Sequence, residues 1–525
     1  MSSLDSYAAE MLHQDILSAV LTTGNVVALF YLWLGYKLLQ AAWNVSPLHP
    51  LSHVPGPKLS AATYLPEFYY EVILSGRNTN RIKKLHDIYG VVVSELNLSR
   101  DEIFTVGSRK RNKPEHQVRN SVISLSEFAT ADDDHHRLRR LPLAKYFSRG
   151  HISQLEPVIQ KLVQKLCSKL LDENGKKGPL NVTMAYSCFT SDAISDFCYG
   201  QSFGFLAQDA WEPNFLAPLH AQLKTAYISK YFPIIYVVKA SSWYMPEEMA
   251  FLVQTLMIDI PNQIKKVQAD MEAGVIHDRP TVFETLLSSD LPPQEKTLDR
   301  LTDEAAALLG AGTETTAWAL SVLTYHLLAK PKVLARLTQE LRDAVEDPQQ
   351  LPPWMALEKL PYLGAVIYEG LRLSYGISSR TARTAPDEDL VYRGEWTPRG
   401  RRNPVPVQYV IPRGFGIGMS SAITHHDESV FPDSWSFIPE RWLDEKMQRR
   451  KELERALMAF SKGSRACLGL NLALCELYLA LTALTLRVFP HMRLFETTEE
   501  DVRYDHDMMV PVPKDGSKGV RVKVV

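Results

Sequence analysis

Cysteine is scarce in this chain: five residues in 525, namely Cys167, Cys188, Cys198, Cys467 and Cys475. They are odd in number, scattered, and contain no Cys-x-x-Cys pair, which excludes a zinc ribbon and a secreted disulfide framework and suits a reducing compartment. An excess of one charge is also missing. With 58 Lys and Arg against 60 Asp and Glu, no basic field exists to attract nucleic acid. Internal repeats and low-complexity tracts are absent, which removes solenoids and disordered tails from consideration. What remains is an ordinary globular composition, 45% hydrophobic and 22% charged, long enough to bury a large core.

Long uncharged runs are equally rare, and one stands out near the start. From Ile16 to Tyr36 no charged residue occurs, and about 21 residues at ~1.5 Å each suffice to cross a bilayer. The segment before it carries Asp5, Glu10 and Asp15 without Lys or Arg, unlike the basic start of a cleaved signal. Lys37 and Lys58 follow the run, so the positive-inside tendency places the downstream chain in the cytosol. The expectation is a non-cytosolic segment 1–15, a single transmembrane anchor 16–36 and a Pro-rich hinge 37–58, in which Pro50, Pro55, Gly56 and Pro57 stop a helix. The body, 59–525, has no internal linker.

Helical spacing dominates that body. Apolar residues recur at three and four in "HISQLEPVIQKLVQKLCSKLL", "PKVLARLTQELRDAV" and "LGAVIYEGLRLS". Strand-like runs are few: "VVVSEL" near Val91, "DLVYRG" near Leu390, "YVIPRG" near Val410 and "GVRVKVV" at the end. The fold class is mainly α with a minor β portion.

Three stretches carry chemistry. The first is "LTDEAAALLGAGTETTAWALSVLTYHLLAKP", a helix with a capping start at Thr302, Asp303 and Glu304 and a stop before Pro331. In its middle, Gly310 and Gly312 adjoin Thr313, Glu314, Thr315 and Thr316, hydroxyls and an acid where a buried helix is normally apolar. Small and hydroxylated residues there predict a local opening of the helix; the alternative is a packing glycine beside a solvated face. The second is "YEGLRL", where Glu369 and Arg372 are three apart and pair on one face. Arg441 in "FIPERW" offers the same carboxylate a second guanidinium. The third is "AFSKGSRACLGLNLA", in which glycines permit tight turns and Cys467 precedes a helix start, whose positive end and free N–H groups favour thiolate. Arg465 is placed to meet an anionic cofactor edge, and Phe460 to shield the sulfur from water.

Together these motifs resemble the cytochrome P450 family from about Pro55 to the C-terminus: "AGTETT", "EGLR", "FIPERW" and the cysteine loop stand in the family's order. The resemblance implies a haem-thiolate monooxygenase with haem b on Cys467. It also implies that Thr315 and Glu314 deliver protons, that Glu369, Arg372 and Arg441 form a structural triad, and that Arg465 binds a haem propionate. His136 and Arg140 match the helix that usually carries Trp-x-x-x-Arg, and Arg383 matches a further propionate position. No flavin or iron–sulfur motif is present, so electrons are expected from a separate membrane-bound NADPH–cytochrome P450 reductase, with Lys462, Arg139 and Arg137 either basic contacts for an acidic flavin domain or solvated charge.

Segments such as "FTSDAISDFCYGQSFGFL" are similar to fungal secondary-metabolism members of the trichodiene oxygenase type. That similarity implies a hydrophobic terpenoid or polyketide substrate and an endoplasmic reticulum location. Leu308, Leu309, Ala311, Ile377, Ser378, Met508 and Met509 are the expected lining, and the aromatic run from Ala226 to Val238 a second membrane contact. Two rival functions are a haem-thiolate isomerase or dehydratase and a non-catalytic haem sensor or carrier. Residues 91–106 and 393–408 depart from the family pattern, the first shorter and the second longer, more basic and richer in proline.

Overall fold

The computed structural model describes residues 23–89, 103–118, 120–176, 178–231, 247–275, 279–396 and 403–525. Its principal helices are α1 (Thr23–Val45), α2 (Asp133–Tyr146), α3 (Arg149–Leu171), α4 (Val182–Tyr199) and α5 (Leu216–Tyr231), followed by α6 (Ile260–Glu272), α7 (Leu298–Ala329), α8 (Pro331–Ala344), α9 (Pro361–Ser374) and α10 (Leu470–Ala483). The strands are short: β1 (Leu180–Asn181), β2 (Thr381–Thr384), β3 (Leu390–Trp396), β4 (Val405–Ile411), β5 (Gly416–Met419), β6 (Met492–Leu494), β7 (His506–Met508), β8 (Val510–Val512) and β9 (Arg521–Val524).

The core is a bundle in which α7 lies against α4, α9 and α10, while α3 packs on α4 and α10. In α3 the buried residues Ile152, Leu155, Ile159, Val163, Leu166 and Leu170 keep the three-and-four spacing that places one apolar stripe inward. Two glycines set the closest crossings. A Cβ on Gly312 of α7 would stand 2.7 Å from Ile194 of α4, and one on Gly370 of α9 would stand 2.4 Å from Leu323 of α7. The β portion comprises antiparallel pairs β2–β5, β3–β4 and β7–β8, and a sheet in the order β1–β9–β6. The β3–β4 register runs from Leu390↔Ile411 to Trp396↔Val405, so 393–396 and 405–408 extend a hairpin. The run near Val91 lies outside the described residues.

Two expectations about α7 are corrected. The helix starts at Leu298 with Thr297 as its extended cap residue, not at Thr302. The acids downstream serve a neighbouring loop instead: Asp303 accepts from the Leu125 amide at 2.8 Å and Glu304 from the Glu127 amide at 3.0 Å. The helix is also unbroken through Gly310–Gly312, because Gly312 serves close packing on α4.

At the N-terminus α1 runs on to Val45, into the stretch read as hinge. Leu29, Phe30, Tyr31, Leu32, Trp33, Leu38 and Leu39 are exposed along it. Residues 16–22 of the expected anchor lie outside the described residues. Among those described, one helical stretch, Leu470–His491, is long and apolar enough to cross a membrane. It is mostly buried, as a core helix is.

Candidate functional site

The cysteine loop is built by backbone geometry that few residues tolerate. Gly463 has φ +76°, and a Cβ there would stand 2.5 Å from the carbonyl carbon of Phe104, so only glycine fits without displacing backbone. The Ser464 amide donates to the Thr105 carbonyl at 2.8 Å, and the Cys467 amide to the Phe460 carbonyl at 2.8 Å. Phe460 is half-buried and packs on the core. The chain then enters α10 through Gly469. Cys467 is exposed, whereas the other four cysteines are buried. Burial pushes the thiols of Cys167 and Cys188 up to about 12. Burial raises the Cys467 thiol too, opposed by the Gly469 amide and Arg140. A thiol that is both exposed and raised by desolvation opens onto space inside the body. The dipole argument, which favoured thiolate, is outweighed by desolvation; a cationic metal restores it.

A second wall of that interior belongs to α7. Ala311 is exposed and Thr315 half-buried, while Thr313, Glu314 and Thr316 are buried. Residues 311 and 315 are one turn apart and share a face. The Thr315 hydroxyl donates back to the Ala311 carbonyl at 2.9 Å. Thr313 does something else, its hydroxyl pairing with Ser191 of α4 at 3.1 Å. Glu314 turns toward α5, where Oε1 meets His220 Nε2 at 2.8 Å.

The expected cofactor-binding cations converge on α2 and the loop before it. His136 Nε2 lies 2.7 Å and Arg140 Nη1 2.9 Å from Oε1 of Glu127, which together hold that carboxylate down at about 2. Arg140 also donates to the Ala466 carbonyl at 2.6 Å, tying α2 to the cysteine loop. Arg383 sits over the Phe104 ring at 5.4 Å and donates to its neighbour's carbonyl, that of Ala382. Arg465 gives N–H groups to the carbonyls of Arg111, Thr130, Ala131 and Asp132, so four of its five donors hold backbone.

These cations repel one another. Burial, with repulsion from Arg465 in the first case and from Arg140 in the second, holds Arg383 and Arg465 down to about 10, and Lys113 falls well below the usual lysine range through burial and through Arg383, Arg465 and Arg140. The guanidiniums of Arg140 and Arg465 and the amine of Lys113 therefore act on the one carboxylate of Glu127, Arg383 stands beyond Arg465, and His136 Nδ1 is buried without a partner. A buried excess of positive charge fits a dianionic group. Among the described residues no cluster of three or more His, Cys, Asp or Glu is arranged to hold a bare metal ion. A lone thiolate beside such a field suits a metal that brings its remaining ligands and two carboxylates with it.

The acid of α9 forms a buried network. Glu369 is fully buried; its Oε1 accepts from Arg372 Nη2 at 2.8 Å, Arg441 Nε at 3.1 Å and the Ile438 amide at 2.8 Å. Its Oε2 accepts from Arg372 Nε at 2.9 Å and the Trp442 indole at 2.8 Å. His425 carries the network to the cysteine loop. The Met458 amide donates to its Nε2 at 2.8 Å, and its Nδ1 meets the Arg372 carbonyl at 2.8 Å. A ring that accepts at Nε2 carries its proton on Nδ1 and is neutral; burial pushes it down to about 3.

Of the expected lining residues, Leu308 and Leu309 are buried in the core, Ala311 is exposed and Ile377 half-buried. The Ser378 amide donates to the Met509 carbonyl at 2.9 Å, and the Met509 amide donates to Tyr227 Oη at 3.2 Å. The β7–β8 turn is thus tied to both the segment after α9 and to α5. The aromatic run is described only as far as Tyr231. Arg139 is not a surface contact: it is buried, with Nε 2.6 Å from Glu295. Arg137 pairs with Asp133 at 2.7 Å, and Lys462 Nζ reaches the Glu454 carbonyl at 3.4 Å. Sequence reasoning missed Lys113, Glu127, His220 and His425, which stand in no motif and meet their partners across the fold.

Comparison with known proteins gives the family of the chain. A family model described as Cytochrome P450 matches residues 108–515. Cytochrome P450 monooxygenase ppzE of Metarhizium majus is 41% identical over 465 residues, covering 83% of this chain and 95% of the relative. N-acetyltryptophan 6-hydroxylase ivoC of Emericella nidulans is 34% identical, covering 94% of this chain and 96% of the relative. Among solved structures, a crystal structure of a cytochrome P450 (CYP102L1) aligns with a TM-score of 0.63 at 18% identity, covering 85% of this chain and 93% of that one.

Proposed function

The chain belongs to the cytochrome P450 family of haem-thiolate monooxygenases, and from that premise we propose that it inserts one oxygen atom of O2 into an apolar fungal secondary metabolite, a terpenoid or polyketide. Two electrons come from NADPH through a separate NADPH–cytochrome P450 reductase, and the second oxygen atom leaves as water. The N-terminal run 16–36 anchors the chain to the endoplasmic reticulum with the body in the cytosol. The long exposed apolar side of α1 supports that reading.

The observation that carries the proposal is the pairing of the one exposed cysteine with an unbalanced buried cluster of cations. Cys467 holds the iron. Arg140, Arg383 and Arg465, with Lys113 and His136, receive the two propionates. Arg465 acts through its field and its remaining N–H, since its other donors hold backbone. Phe460 keeps water from the sulfur, and the Gly469 amide steadies the thiolate. When bound, the haem supplies reductive activation of O2, with thiolate donation favouring O–O cleavage. Thr315 and Glu314 manage protons: the hydroxyl of Thr315 stands on the interior face, and Glu314 is the adjoining acid on the same helix. Glu369, Arg372 and Arg441 brace the loop between α9 and Cys467 without touching reactants.

A second substrate class, an aromatic amino-acid derivative, is favoured by the similarity to the N-acetyltryptophan hydroxylase over nearly the whole chain. An isomerase or dehydratase has less need of Thr315 and Glu314. The test is the difference spectrum of the reduced, CO-bound protein in membranes, wild type beside Cys467→Ser. A strongly red-shifted Soret band confined to wild type is expected; the same band in both would remove Cys467 from the iron. Feeding terpenes, polyketides and N-acyl aromatic amino acids with reductase then separates the substrate classes.

A further inference from the structure

Glu314 does not stand alone. Its side chain is 7% exposed, its Oε1 lies 2.8 Å from His220 Nε2, and its Oε2 is buried with no partner. His220 comes from α5, which packs on α7 beside Gly310, where an added Cβ would stand in ordinary contact with Leu219, 3.5 Å away. The imidazole is half exposed, although it sits on the inward side of α5 against α7. It meets α7 at Glu314, the residue next to Thr315.

We propose that His220 is a positioning residue for Glu314: it fixes one carboxylate oxygen by a charge-assisted hydrogen bond and leaves the other to serve proton delivery beside Thr315. The assignment rests on the monooxygenase reading above and deepens it. Two consequences follow from the geometry. A bond of this kind is about twice as strong as a neutral one, so it holds a single Glu314 rotamer where an unpaired carboxylate would be free to turn. It also spans two helices, so any displacement of α5 as substrate enters lengthens the bond. The arrangement of the acid is thereby coupled to the position of α5.

Two charged groups act on the imidazole. Glu314 on α7 raises its affinity for a proton, and Lys224, one turn along α5, lowers it, with the carboxylate dominant over both Lys224 and burial. The protonated form of His220, bonded to Glu314, is thus favoured to a higher pH than in a free imidazole. As pH rises through its raised value the charge assistance is lost.

The first test needs no turnover. Deuterium exchange at the C2 carbon of histidine, read by mass spectrometry on the haem-loaded full-length protein across pH, gives the titration of His220 directly. Wild type is expected to titrate above the ordinary 6.5, and Glu314→Gln to bring the midpoint back to or below it. An unchanged midpoint overturns the pairing. The second test measures peroxide released per NADPH consumed with reductase and O2, without organic substrate, between pH 6 and 9. His220→Ala is expected to change that ratio several-fold at neutral pH and to flatten its pH profile. His220→Gln, which donates to the same oxygen, restores the ratio without restoring the pH dependence. Wild-type behaviour in His220→Ala overturns the proposal. The CO difference spectrum of each variant separates this failure from failure of the monooxygenase reading, because a retained red-shifted band shows that the haem-thiolate site is intact.

Discussion

Replacing Glu369 by Gln is the sharpest perturbation of the scaffold. The carboxylate is fully buried and accepts five hydrogen bonds from Arg372, Arg441, Trp442 and the Ile438 amide. Gln keeps one acceptor oxygen and presents an N–H2 group to donors that already point at it, so two contacts become donor against donor. It also removes the only carboxylate that either guanidinium is bonded to in this network. Arg372 retains carbonyl partners at His425, Ser434 and Ser436, and Arg441 at Pro432 and Asp433, so both guanidiniums keep hydrogen bonds but lose their counter-charge. The loss is that of breaking a buried pair from one side, about 3–5 kcal/mol, a large part of the ~5–15 kcal/mol that holds a typical protein folded. The assay is urea unfolding of the full-length protein in detergent, followed by tryptophan fluorescence and by the CO-bound Soret band. The surviving folded fraction should keep the wild-type band position, because Glu369 touches no cofactor. Arg441→Ala should cost less, and the double variant less than the sum of the two. A Glu369→Gln protein within about 1 kcal/mol of wild type would refute the reasoning.

Acid should unfold the protein through its buried imidazoles. His326 and His425 are pushed down to about 3 and His426 to about 2 by burial and neighbouring cations. In the unfolded chain they titrate near 6.5, so below that pH the unfolded state takes protons the native state refuses. Stability from these groups is present above 6.5 and falls toward pH 3 by up to about 1.4 kcal/mol per pH unit for each ring. Glu476, pushed up to about 8, works in the opposite sense from 4.5 upward. Urea midpoints from pH 4.5 to 7 that do not rise would contradict this. Gly463→Ala, with a backbone carbon 2.5 Å from the added Cβ at φ +76°, should sharply reduce haem content at equal expression. Gly376→Ala, whose Cβ would meet the Ala459 carbonyl oxygen at 2.1 Å, should lower the unfolding midpoint by the equivalent of about 1–3 kcal/mol. Wild-type haem content or midpoints in these variants would show that the loop relaxes.

Local chemistry was readable in the sequence where it depends on residues close in the chain. Gly463, Cys467 and Gly469 lie within seven residues, and Glu369 and Arg372 within one helical turn, so their geometry is dictated by neighbours. The start of α7 was misplaced because Thr302, Asp303 and Glu304 look like a cap, yet their acids cap the Leu125–Glu127 loop instead. The opening at Gly310–Gly312 was misjudged because a glycine admitting Ile194 looks the same in sequence as one that loosens a helix. Arg139 reads as a surface charge until Glu295, far along the chain, is folded onto it. His220, His425 and Lys113 were illegible for the same reason: each acquires its meaning from a partner on another element.

The crowd of cations around Glu127 has a consequence for the life of the chain before it becomes an enzyme. Lys113, Arg140, Arg383 and Arg465 come from segments far apart in sequence, and bringing them together works against folding until two negative charges join them. Capture of haem should therefore stabilise the closed domain. A ligand that binds only the native state adds stability in proportion to the logarithm of its free concentration over its dissociation constant. The abundance of the folded protein should then follow the supply of haem in its cell, with unloaded chains left to the proteases.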